Sequence, residues 1–157
     1  MNAKMAMNKA PRLRPDAKMQ VRDVMTLNPI TAHEEMTTAE ALKILNKNHI
    51  HHLPVIRALP DGKREVIGIV TERNLLSARS VFLGTKMEGP KDTLTLGIHL
   101  KGIMIQPVIK LPPEATIKEA ATLMRDRNIG CVPVVDGRAL VGIVTGRDML
   151  KILCEWM

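Results

Sequence analysis

The chain carries the same run of sequence twice, and this constrains its fold more than any other feature. Ile50-His51-His52-Leu53-Pro54-Val55 returns as Ile129-Gly130-Cys131-Val132-Pro133-Val134. Val66-Ile67-Gly68-Ile69-Val70-Thr71-Glu72-Arg73-Asn74 returns as Leu140-Val141-Gly142-Ile143-Val144-Thr145-Gly146-Arg147-Asp148. Upstream of each, Val24-Met25-Thr26-Leu27-Asn28-Pro29-Ile30 is matched by Ile103-Met104-Ile105-Gln106-Pro107-Val108. Blocks that recur in one order mark a duplicated supersecondary unit, which cannot bury its apolar face alone. The first copy holds a longer turn, Leu59-Pro60-Asp61-Gly62-Lys63, whereas the second closes on Asp136-Gly137, a tight hairpin signal.

Each copy reads as β-α-β-β-α. A short extended piece, Ile30-Thr31 or Val108-Ile109, is followed by an amphipathic helix. Thr38, Ala41, Leu42 and Leu45 in the first copy, and Ile117, Ala120, Ala121 and Met124 in the second, share one helical face. Two β-branched runs flank each turn: Leu53 to Ile56 with Val66 to Val70, and Val132 to Val135 with Leu140 to Val144. A second helix begins after Thr71 or Thr145, carrying Leu75, Leu76, Ala78 and Phe82 in one copy and Met149, Leu150, Leu153 and Trp156 in the other. The expected class is α+β, with two small sheets packed face to face and helices on their outer sides. The divisions are a basic tail at 1–17, a first unit at 18–83, a linker at 84–97 and a second unit at 98–157.

Composition narrows the function. The 157 residues are 45% hydrophobic but only 1% aromatic, so the core is aliphatic and draws on 11 methionines. That count argues against stacking platforms for single-stranded nucleic acid. No apolar run reaches the length of a membrane span and no secretory signal is visible, so a cytoplasmic protein with Cys131 and Cys154 reduced is expected. The net charge of +7 includes Lys4, Lys9, Arg12, Arg14, Lys18 and Arg22 near the start. It is read as a solvated tail, or as a surface for a polyphosphate or nucleic acid.

The two hydrophobic-Pro-Val strands and the two Gly-Ile-Val-Thr segments, each followed by Arg, resemble the CBS domain, named after cystathionine β-synthase. The resemblance covers the chain from about Lys18 onward. It implies a tandem pair, like the one carried by inosine monophosphate dehydrogenase, whose catalytic barrel is absent here. It further implies two clefts for adenosine-containing ligands: AMP, then ADP, ATP or S-adenosylmethionine. Homodimerisation and control of an unknown partner protein also follow from it. No catalytic role, metal or further cofactor is implied.

The resemblance assigns one site to each unit. Thr71 with Arg73 and Asn74, and Thr145 with Arg147 and Asp148, would hold phosphate and ribose. Backbone around Leu53-Pro54 and Val132-Pro133 would face the adenine, and Ile30, Thr31, Ile109 and Lys110 would complete the pockets. His51 and His52, which match Gly130 and Cys131, would reach phosphate. A carboxylate accepts from a ribose diol more strongly than an amide does, so the unit with Asp148 is expected to bind more tightly than the one with Asn74.

Other readings stand beside these. Thr145 and Asp148 also match a helix capping box. His49, His51 and His52 suggest a metal site, but strand alternation would send His51 and His52 to opposite faces. Cys131 lacks a sequence partner for nucleophilic chemistry, and no phosphate loop, nucleophile elbow or zinc-protease motif occurs. The main alternative function is nucleic-acid binding through the basic surface.

Overall fold

The computed structural model describes residues 19–78, 86, 89–90 and 97–156; the basic tail, Phe82 and most of the linker lie outside the described residues. The first half contains β1 (Thr26–Leu27), β2 (Ala32–His33), α1 (Thr38–Asn48), β3 (His52–Ala58), β4 (Arg64–Thr71) and α2 (Glu72–Ser77). The second contains α3 (Ile117–Arg127), β5 (Cys131–Asp136), β6 (Ala139–Thr145) and α4 (Gly146–Trp156).

The duplication is visible at the level of single hydrogen bonds. Helix α1 opens with a capping box in which Glu40 N donates to Thr37 Oγ1 at 3.3 Å and Thr37 N donates to Glu40 Oε2 at 2.8 Å. Helix α3 opens in the same way with Thr116 and Glu119, at 3.1 and 2.7 Å. These bonds, the backbone one foremost, hold both glutamates below the usual carboxylate range. Each helix ends on a left-handed residue, His49 at φ 53° and Asn128 at φ 51°. Of the expected inward faces, Thr38, Ala41, Leu42, Leu45, Ala120 and Met124 are buried, and Ile117 and Ala121 are half-buried.

Two three-stranded sheets form, in the orders β2-β3-β4 and β1-β6-β5. Both hairpins are antiparallel, with an irregularity at the same repeat position, Val55/Ile56 and Val134/Val135. The sheets face each other through Ile56, Val66, Ile69, Cys131, Leu140 and Ile143. Each outer face packs on its own helices, around Leu45, Leu53, Val70 and Leu75 on one side and Val132, Val144 and Met124 on the other.

The segments that lead into the units are exchanged. β1 belongs to the first unit in sequence, yet it pairs with β6 (Thr26 with Ile143). Ile105 reciprocally bridges to Ile69 of β4. Val21 N donates to Ala115 O at 2.7 Å, and Leu100 N to Met36 O at 2.9 Å. Val21 therefore sits in the second unit's core and Leu100 in the first's. Glycine makes the close approach feasible, because a Cβ at Gly68 would lie 2.3 Å from Met104 Sδ and one at Gly142 would lie 2.5 Å from Met25 Sδ.

This exchange corrects one expectation. Ile30-Thr31 and Val108-Ile109 are not the strands; pairing falls later, at Ala32–His33 with β3 and at the bridge of Leu111 to Val134. The intervening residues cross from one sheet to the other, starting from left-handed Asn28 (φ 45°) and from Pro29, which has no N–H to donate. No helix among the described residues is long and apolar enough to cross a membrane.

Candidate ligand cleft

A cleft of about 620 Å³, within the range typical of small-molecule sites, opens where the first unit's α2 meets the start of the second unit's β5. Its apolar wall comes from Ile69, from Ile105, Pro107, Val108 and Ile109 on the crossing segment, and from Ile129, Cys131 and Pro133. Its polar end comes from His51, His52, Thr71, Glu72, Arg73 and Asn74, with Asn128 and Gly130 opposite. A slot with aliphatic walls and a hydrogen-bonding end accepts a flat base joined to a polar group.

The cleft is thus built crosswise. Ile109, Gly130, Cys131 and Pro133 do not meet Thr145, Arg147 and Asp148 across it; they meet Thr71, Arg73 and Asn74. The expected grouping of one site per unit is corrected, because the crossing residues 106–110 leave β4's edge at Ile105 and arrive at β5's at Leu111. Asp148 instead lines a smaller cavity of about 180 Å³ with Met19, Asp23, Val24 and Lys151. Ile30, Thr31, Lys110 and Arg147 lie outside both cavities, and Leu53 and Val132 turn fully buried side chains into the helix-side cores. Pro54 is buried opposite Ile69 in the β3–β4 ladder.

The start of α2 carries a complete capping box, and at the start of α4 Asp148 receives bonds from Thr145, the pair that the spacing suggested. Thr71 Oγ1 donates to Asn74 Oδ1 at 2.6 Å, while Asn74 N donates to Thr71 Oγ1 at 3.2 Å. Thr145 Oγ1 and N both donate to Asp148 Oδ2, at 2.8 and 2.7 Å. One oxygen of each side chain is therefore engaged within its own turn. The Asn74 amide nitrogen and Asp148 Oδ1 remain as the atoms with which each could meet a ligand.

His49 stands apart from His51 and His52. His49 is an exposed helix cap, His51 Nδ1 lies 2.7 Å from Glu72 Oε2, and the His52 ring rests against Gly130. His51 precedes β3, so strand alternation does not govern it, and both His51 and His52 face the cleft. A Cβ on Gly130 would stand 2.7 Å from His52 Nε2, so the residue opposite the ring must be small. Burial, and then the charge of His51, hold the half-buried His52 below the ordinary imidazole value. Burial likewise pushes the Cys131 thiol up to about 12, which leaves it a small apolar wall residue. Among the described residues no three His, Cys, Asp or Glu side chains are placed to hold a metal ion.

Sequence reasoning missed Ile69, Glu72, Ile105, Pro107, Val108, Asn128 and Ile129. Glu72 stood inside a repeated block opposite Gly146, and this mismatch could have flagged it. Ile105 had no such signal, since its place depends on the exchange.

The CBS domain profile matches residues 21–81 and 100–155. A CBS domain-containing protein of Dictyostelium discoideum is 36% identical over 140 residues, spanning 88% of this chain and 93% of that protein. The L-aspartate semialdehyde sulfurtransferase of Methanocaldococcus jannaschii is 33% identical over 133 residues, which are 84% of this chain but 23% of that enzyme. The CBS domain pair of protein MJ0100, solved with 5′-methylthioadenosine and S-adenosyl-L-methionine, has a TM-score of 0.69 at 31% identity and covers 87% of this chain and 96% of that one. Profile, sequence and fold agree, and the chain belongs to the CBS domain family as a tandem pair.

Proposed function

We propose that this protein is a non-catalytic regulatory module that binds an adenosine-containing ligand in the crosswise cleft and signals its presence to a partner protein. The juxtaposition of the aliphatic slot at Ile109 and Pro133 with the polar end at Thr71 and Asn74 carries this reading. The slot suits an adenine ring, and the polar end suits a ribose and its 5′ substituent. The similar pair of MJ0100 was solved with two adenosine compounds, which supports the same ligand class. Because both units contribute walls, a bound ligand favours one arrangement of the units over others, and that preference is a signal a partner can read.

The module acts as a homodimer in this reading. Leu76, Leu150 and Leu153, on the second helix of each unit, are 50%, 63% and 54% exposed, and a second copy would cover them. Light scattering at micromolar concentration should give twice the chain mass; a monomer mass overturns the dimer. Thermal shift against adenosine and guanosine nucleotides, 5′-methylthioadenosine, S-adenosylmethionine and a random DNA duplex tests the ligand class. At a hundred times its dissociation constant an adenosine compound should add about 2.7 kcal/mol. A shift with duplex alone, lost as salt rises, would replace this reading with nucleic-acid binding.

A further inference from the structure

The polar end of the cleft is poorly equipped for phosphate. Glu72 places a carboxylate there, 2.7 Å from His51 Nδ1. Arg73 is the permanent cation among the described residues that line the cleft, and no lysine lines it. His52 is kept towards its neutral form by burial. The backbone donors at the start of α2 are largely used, since Glu72 N donates to His51 O at 3.0 Å and Asn74 N to Thr71 Oγ1 at 3.2 Å. A dianionic group at this end would meet the Glu72 carboxylate, balanced by His51 only when that ring is protonated, and one guanidinium, with few backbone N–H groups to spare. The equivalent place in the other unit is Gly146, so the carboxylate is particular to this cleft.

We propose that Glu72, oriented by His51, makes the cleft select adenosine derivatives whose 5′ substituent is neutral or cationic, such as a thioether or sulfonium, over nucleotides with a 5′ phosphate. This rests on the reading that the cleft takes an adenosine ligand, and it names the class within that reading. Glu72 repels a phosphate, whereas it attracts a sulfonium or ammonium group and is indifferent to a thioether. Arg73 gives back part of the attraction to phosphate, so the preference is a matter of degree.

Calorimetry on the full chain with 5′-methylthioadenosine, S-adenosylmethionine and AMP, for the parent and Glu72→Gln, tests the proposal. The parent should bind 5′-methylthioadenosine at least roughly tenfold more tightly than AMP, the scale of one unit charge at a partly exposed site. Glu72→Gln keeps the side chain's length and a hydrogen bond to His51. It should strengthen AMP several-fold, weaken S-adenosylmethionine, and leave 5′-methylthioadenosine within about twofold, since the last has no charge for Glu72 to meet. A parent that prefers AMP overturns the proposal, as does a variant that shifts AMP and 5′-methylthioadenosine by one common factor; both results leave the adenosine cleft standing. Absence of binding by all three compounds removes the adenosine reading itself, and the proposal with it.

Discussion

Gly142→Ala tests the exchange of leading segments, on which the cleft depends. Gly142 is buried in β6, opposite Leu27 of β1. An added Cβ would stand 2.5 Å from Met25 Sδ, 2.9 Å from Met25 Cγ and 3.1 Å from Thr26 O. The sulfur can swing aside, but Cγ is close to the root of its side chain and Thr26 O is strand backbone. Overpacking of this kind costs about 1–3 kcal/mol, offset by about 0.5–1 kcal/mol for removing a strand glycine. The net loss of about 0.5–2 kcal/mol corresponds to a fall in Tm of roughly 1–8 °C. Urea unfolding followed by circular dichroism measures it directly. Truncating Met25 to Ala in the same chain removes both sulfur and Cγ, so the double variant should lose less than the sum of the singles by about 1 kcal/mol. Met104→Ala should add independently to Gly142→Ala, and should couple instead to Gly68→Ala, whose Cβ would lie 2.8 Å from Met104 Cγ. A stabilised Gly142→Ala, or coupling of Gly142 to Met104 in place of Met25, would refute the crosswise architecture.

Three further outcomes are expected. His52 binds its proton less readily folded than unfolded, so its contribution is intact above 6.5 and is lost as pH falls through the lowered folded value. Urea midpoints should decline from pH 7.5 to about 5, and less steeply for His52→Gln; equal slopes would clear His52. Cys154 is exposed while Cys131 is buried with its thiol pushed up to about 12, so an aromatic disulfide reagent near pH 8 should titrate a single thiol per folded chain and both in denaturant. Rapid labelling of both in the folded protein would contradict the burial of Cys131. Thr116→Ala removes the oxygen that receives Glu119 N at 3.1 Å and should cost about 1 kcal/mol in chemical denaturation; an unchanged midpoint would show the cap to be dispensable.

The residues that define the elements act over short distances, so they could be read in one dimension. Thr37 and Thr116 cap helices through a glutamate three positions on, and Thr38, Ala41, Leu42 and Leu45 share a face through helical periodicity. The duplicated blocks determined that there are two units, that each holds a helix, a β-hairpin and a second helix in that order, and that their apolar sheets must meet. Thr145 with Asp148 was legible as a cap for the same reason, and the structure adds Thr71 with Asn74 at the matching place.

Which leading segment completes which unit was not legible, because the repeat is symmetric under that choice. Both leaders carry a methionine, Met25 or Met104, and both receiving strands carry a glycine, Gly142 or Gly68, so own and exchanged pairings satisfy the same pattern. The tertiary structure decided it by seating Thr26 on Ile143 and Ile105 on Ile69. That choice makes residues 28–31 and 106–110 cross between the sheets and moves β2 to Ala32–His33. It also places Ile109 and Pro133 opposite Glu72 and Asn74. The sequence by itself determined the parts and the chemistry they carry; the path of two short crossings through space decided which parts face one another.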